Sequence, residues 1–201
     1  YDQVAHHAGL GAPMTDWALS RLDDSVRVIE RANDTRGNRY QLAVFADHGL
    51  SACGAYQKLR GVSLGAAIAR TTGTPLRDWH VAPSGNLAHV YALSAQAKTS
   101  LDSLVPVLMR DEAIGFVVQN EFAHGRFGKV ELESATVSGD HPLAAYGPTG
   151  LRTRQVAALA RHPEAGDLIV MGAVDARGAV TAFEKQRAAY GGFGGAQTEE
   201  F

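Results

Sequence analysis

The sequence predicts an α/β sandwich in which helices cover both faces of a mostly parallel central sheet. Two observations carry this expectation. Segments with apolar residues at helical spacing alternate with short apolar runs along the whole chain. Several of those runs are continuous rather than alternating with polar residues, as expected of strands covered on both faces. At 201 residues, 45% apolar and 20% charged, the chain is long and apolar enough to bury one sizeable core.

The elements follow in order. Pro13 or Thr15 opens a long helix with Leu19, Leu22, Val26 and Ile29 on one side, and the run NDTRGN at 33–38 breaks it. Residues 41–46 (QLAVFA) form the strongest strand candidate, stopped abruptly by Asp47-His48-Gly49. Ser63 caps a helix that runs through Arg70 and is closed by Gly73. Further strands are expected at 87–93, 114–118 and 167–171, and helices at 100–109, with a bend at Pro106, and at 152–161. The stretch AHGRFG at 123–128 reads as a turn before a strand in which Val130 and Leu132 alternate with polar residues. Residues 114–150 are turn-rich and are expected as an insertion beside the sheet within a single domain, 1–201; there is no internal repeat.

Composition excludes several function classes. Lys+Arg 19 against Asp+Glu 21 gives a net charge of −2, which argues against a nucleic acid or anionic membrane held by bulk charge. Cys53 is the single cysteine, so neither an internal disulfide nor a four-cysteine zinc site is possible. No apolar run approaches the roughly 20 residues that span a bilayer. The first residue is Tyr1 rather than methionine, as expected of a processed product or a piece of a longer polypeptide.

Three places carry candidate chemistry. In Asp2-Gln-Val-Ala-His6-His7-Ala-Gly9, Asp2 and His6 stand four apart, on one face of a helical turn. Carboxylate oxygen and imidazole nitrogen are donors that zinc accepts, and a solvated terminus is the plain alternative. Asp47-His48-Gly49 comes directly after the best strand candidate, and ligands of open α/β sheets gather outside the carboxyl ends of strands. A turn aspartate with a capping histidine is the alternative there. In Tyr190-Gly-Gly-Phe-Gly-Gly-Ala-Gln197 the glycines allow close approach of backbone to a ligand, but no Lys-Ser/Thr follows as in a P-loop, and a plain flexible loop fits as well. His80, His89, His124, His141 and His162 lack ligand spacing, and Cys53 reads as a buried structural thiol.

Taken in this order, the three motifs resemble the alkaline-phosphatase superfamily, specifically its type I phosphodiesterase/nucleotide pyrophosphatase-like branch. The segments Asn86-Leu-Ala-His-Val-Tyr91 and Asp140-His-Pro-Leu-Ala-Ala-Tyr-Gly147 resemble that branch too. The resemblance spans the whole chain but only the carboxyl-terminal half of the usual catalytic domain. It implies an alkaline-phosphatase-like fold and metal-dependent hydrolysis of small-molecule phosphoesters by a site with two divalent ions, usually zinc. Asp2 and His6 match two ligands of one metal, and Asp47 and His48 match two of the other. The nucleophile, a Thr or Ser, and a further Asp ligand are expected upstream of Tyr1. Tyr190 stands where the resemblance expects a histidine ligand before Gly-Gly, leaving Tyr190 or His7 as a metal or substrate contact. A phenol ligates only after losing a proton that ordinarily leaves near a pKa of about 10. The chain is therefore expected to be weak or inactive alone. The alternative is a non-catalytic binding or structural descendant of the same fold.

Overall fold

The computed structural model describes residues 1–190 and 192–193; the rest of the glycine-rich stretch, Gly191 and residues 194–197, lies outside the described residues. The helices are α1 (Asp2–Ala8), α2 (Pro13–Asp34), α3 (Tyr56–Arg60), α4 (Leu64–Thr72), α5 (Ala95–Thr99), α6 (Leu101–Leu108) and α7 (Thr149–Ala160). The strands are β1 (Ser51–Ala55), β2 (Trp79–Ser84), β3 (Leu87–Ala92), β4 (Ile114–Gln119), β5 (Phe122–His124), β6 (Gly128–Glu131), β7 (Val137–Gly139), β8 (Leu168–Gly172), β9 (Val180–Ala182) and β10 (Ala188–Ala189).

The expected mostly parallel central sheet does not form. The main sheet has seven strands in the order β2-β3-β8-β4-β5-β6-β7, and every pairing in it is antiparallel. The alternation of strand and helix nevertheless has a structural origin. β3 and β4 both pair antiparallel with β8, so they run in the same direction and are joined through α5 and α6. That crossover leaves a gap one strand wide, and β8 fills it from the opposite direction. The remaining neighbours are hairpins. Ser84 pairs with Leu87 around Gly85-Asn86, and Gln119 pairs with Phe122 around Asn120-Glu121, where Asn120 has φ 53°. The stretch 114–150 is not beside the sheet: β4 to β7 make up its central and outer strands.

Residues 41–46 are the second correction. They form no strand, and Val44 and Phe45 are 61% and 86% exposed. A strand needs a ladder for its backbone N–H and C=O groups, and among the described residues none is paired with this run. The less apolar SACGA segment of β1 finds that ladder instead, antiparallel to β10 and parallel to β9 in a small three-stranded sheet. The long helix forms as expected over Pro13–Asp34, but Trp17, Leu22 and Ile29 on it are exposed and only Thr15 and Ala18 are buried.

The two faces of the main sheet hold separate cores. Ala88, Val90, Val117 and Val170 pack with Ile68 of α4 and Leu104 and Leu108 of α6. The alternate residues Phe116, Val118, Ile169 and Met171 pack with Leu143, Tyr146 and Val156 of α7. The burial of every residue in β8 results from its position between these two layers. Ser63 caps α4 through its Oγ, which accepts from the Ala66 N–H at 3.3 Å, and Gly73 closes it in the left-handed region.

Asp111 ties α3 to the turn before β4. It accepts from the Tyr56 hydroxyl at 2.9 Å, from Arg60 Nε at 2.7 Å and from the Ala113 N–H at 2.9 Å. Burial pushes the Asp111 carboxyl up, but hydrogen bonds from Arg60, Ala113 and Tyr56 and the Arg60 charge outweigh it and leave the group below its usual value. A carboxylate held low in the folded state contributes stability above its unfolded pKa, and that contribution is lost as pH falls through the folded value. Asp111→Ala is therefore expected to lower unfolding free energy by about 2 kcal/mol at neutral pH, since Tyr56 and Ala113 lose their acceptor. The gap between wild type and variant should begin to close below about pH 4, the unfolded carboxyl's range, and close fully as pH falls through the lowered folded value. Urea unfolding across pH 2–7 measures both, and a gap constant over that range would contradict the assignment.

Candidate metal centre

The small sheet, not the main one, gathers the three candidate motifs. His48 and Gly49 lie just before β1, and Tyr190 comes directly after β10. The two strands are held in register by the pairs Ser51–Ala189 and Ala52–Ala188. Helix α1 docks on the same edge: the Arg187 N–H donates to the His6 carbonyl at 2.8 Å, and His6 Nδ1–H donates to the Ala188 carbonyl at 2.8 Å across 182 positions of sequence. Asp47 and His48 thus stand ahead of a strand of the small sheet, rather than at the carboxyl end of a central strand of the large one.

The site contains two aspartate–histidine pairs of the same polarity. In the first, a carbonyl takes the His6 Nδ1 proton, so the neutral ring presents the Nε2 lone pair. Nε2 faces Asp2 Oδ2 at 3.2 Å, and among the described residues both Nε2 and Asp2 Oδ1 are buried without a hydrogen-bond partner. Two acceptors this close require a positive charge to share, either a proton on Nε2 or a cation. In the second pair, His48 Nδ1 lies 3.1 Å from the Gly49 carbonyl and Nε2 lies 3.7 Å from Asp47 Oδ1. The His48 N–H also donates to Asp47 Oδ1, at 3.1 Å, while the Asp47 side chain is 89% exposed.

Tyr190 stands between the pairs. Its ring lies 4.8 Å from that of His6 and stacks on His48 at 4.7 Å with the planes 13° apart. Tyr190 thus contacts one histidine of each pair, His6 and His48. His7 is directed elsewhere and lines a separate cavity with Cys53, Lys58 and Arg187. The orphaned oxygen and nitrogen at Asp2 and His6, with Nδ1 anchored to backbone, fit a divalent ion of the zinc type. Each pair offers only two donors, and among the described residues no group of three or more His, Cys, Asp or Glu converges.

The β2–β3 turn, whose Gly85 the sequence reading did not single out, positions Tyr190. A side chain on Gly85 would come within 1.6 Å of the Tyr190 carbonyl oxygen, and one on Gly192 within 1.7 Å of Asn86 Oδ1. The fully buried Asn86 donates through Nδ2 to the Phe193 carbonyl at 3.3 Å, and Arg152 lies over the Phe193 ring at 5.3 Å. The β2–β3 turn is therefore the seat of the Tyr190 loop. A glycine directly before an asparagine between two apolar runs was the available signal for that turn.

The other candidates have structural explanations. His89 Nδ1 accepts from the Gly166 N–H at 3.0 Å, and burial, helped by the nearby His162, lowers its pKa. Burial pushes the Cys53 thiol up to about 11, so it stays protonated.

Comparison with protein-family models finds none that matches the chain. Comparisons with curated proteins and with solved structures find no match either.

Gly85→Ala tests the seating of Tyr190. Gly85 has φ 57°, so alanine there meets the left-handed penalty of roughly 1–2 kcal/mol as well as the clash with Tyr190. The ring-current shifts of the His6 and His48 protons, read by NMR, are expected to collapse together while the β3–β8–β4 amide pattern persists. Unchanged histidine shifts would show that Tyr190 is placed by other contacts.

Proposed function

We propose that the chain carries part of a two-metal site for hydrolysis of phosphoric esters and diesters. The observation that supports this most is the pair of like-oriented aspartate–histidine couples on either side of Tyr190. Asp2 and His6 would hold one ion, and Asp47 and His48 the other. When bound, divalent ions at such a site polarise phosphoryl oxygens and lower the pKa of the attacking group. The chain's own residues fix the donors: Ala188 and Gly49 set the tautomers of His6 and His48, and Tyr190 packs against both rings. The nucleophile, a Thr or Ser, and a further Asp ligand would come from polypeptide preceding Tyr1, and the substrate is a small phosphoester. A second reading, a non-catalytic descendant of the site, is favoured by Tyr190 itself, whose phenol stands where the metal would gain a neutral imidazole.

Zinc titration calorimetry on the purified chain tests the metal assignment. The expectation is fewer than two equivalents, bound weakly, with His6→Ala and His48→Ala each reducing affinity by at least about 10-fold. Tyr190→His is expected to tighten binding, because imidazole ligates without the deprotonation a phenol requires. Two tightly held zinc ions after dialysis would refute the incomplete set, and affinity indifferent to both histidine variants would refute the site. In a polypeptide that also supplies the nucleophile, Tyr190→His should raise turnover of an activated diester. A fall there would make Tyr190 an adapted ligand or substrate contact.

A further inference from the structure

A cavity of about 430 Å³ lies among His7 of α1, β1, α3 and the residues just before β10. His7, Lys58, Lys185 and Arg187 line it, and among the described residues no aspartate or glutamate does. Among the described residues, Lys58, Lys185 and Arg187 form no ion pair, although the nearby Arg60 is held by Asp111. Glu184, the nearest acid in sequence, is occupied: it accepts from the Gly85 N–H at 2.6 Å and from Gln186 Nε2 at 3.3 Å. Three unpaired cations around one concavity repel one another, and an anion relieves that repulsion.

Cys53 on the wall stays a neutral thiol, so it does not oppose an anion.

We propose that this cavity binds a phosphorylated small molecule, with its phosphate on Lys58, Lys185 and Arg187. As a subsite for the substrate of the metal centre it rests on the hydrolase reading, with which it shares α1 and β10: His7 is the neighbour of His6, and the Arg187 backbone holds the His6 carbonyl. As a binding site it stands without metal.

Calorimetry in excess EDTA, with ribose 5-phosphate, ribose and inorganic phosphate as probes, separates the two. Ribose 5-phosphate and inorganic phosphate should both bind, more weakly as salt rises, and ribose should not. Lys58→Gln combined with Arg187→Gln should cost at least 10-fold in affinity, and Lys185→Gln is an independent exposed variant with the same direction. His48→Ala should change nothing. Absence of binding, equal affinity for ribose, or affinity that follows His48 and ignores the three cations would overturn the proposal. Ribose 5-phosphate binding in a chain that fails the zinc titration would leave the cavity standing and remove the hydrolase reading.

Discussion

The antiparallel pairing of β1 with β10 is the constraint on which the rest of the site depends. Two register pairs, Ser51–Ala189 and Ala52–Ala188, bring the segment after Asp47-His48-Gly49 against the last described strand. The same short strand then receives α1 through the His6–Ala188 and His6–Arg187 hydrogen bonds. Neither contact is local, and loop closure over such separations is repaid only when the intervening chain has already folded into the seven-stranded sheet. The main sheet participates directly: its β2–β3 turn abuts the Tyr190 carbonyl at Gly85 and holds the Phe193 carbonyl through Asn86.

Two regions near α1 have different electrostatic characters. In one, His6 Nε2 lies against Asp2 Oδ2, and among the described residues Nε2 and Asp2 Oδ1 are buried without a hydrogen-bond partner, an arrangement that favours positive charge. In the other, Lys58, Lys185 and Arg187 line a cavity with no carboxylate among its described lining residues, which favours negative charge. Tyr190 tunes the first region by contact: two imidazole rings packed on one phenol ring contribute about 0.5–1.5 kcal/mol each and hold the rings in place.

Elements with local causes were legible in the sequence. The Ser63 cap and Gly73 stop of α4, the start of α2 at Pro13, and the β3, β4 and β8 runs all rest on neighbours a few residues away. Strand direction was not legible, because β3–helix–β4 is the same local pattern whether β4 lies beside β3 or leaves room for β8. Nor was burial. The run 41–46 has the composition of a central strand but finds no ladder among the described residues, whereas the plainer SACGA is paired on both sides. For the site, the residue types and their order were readable, and the anchoring of His6 to Ala188 was not, since nothing near either residue announces the other. Arg187 was missed for the same reason: its meaning comes from a cavity completed by Lys58 on another element.

X-ray absorption at the zinc edge of the zinc-loaded chain tests the central claim most directly. Ligation by the two aspartate–histidine pairs predicts a first shell of nitrogen and oxygen alone at about 2.0–2.1 Å, with the outer-shell scattering of imidazole, diminished by His6→Ala and by His48→Ala. A sulfur shell near 2.3 Å, which only Cys53 or a methionine supplies, or a shell without imidazole, would contradict it.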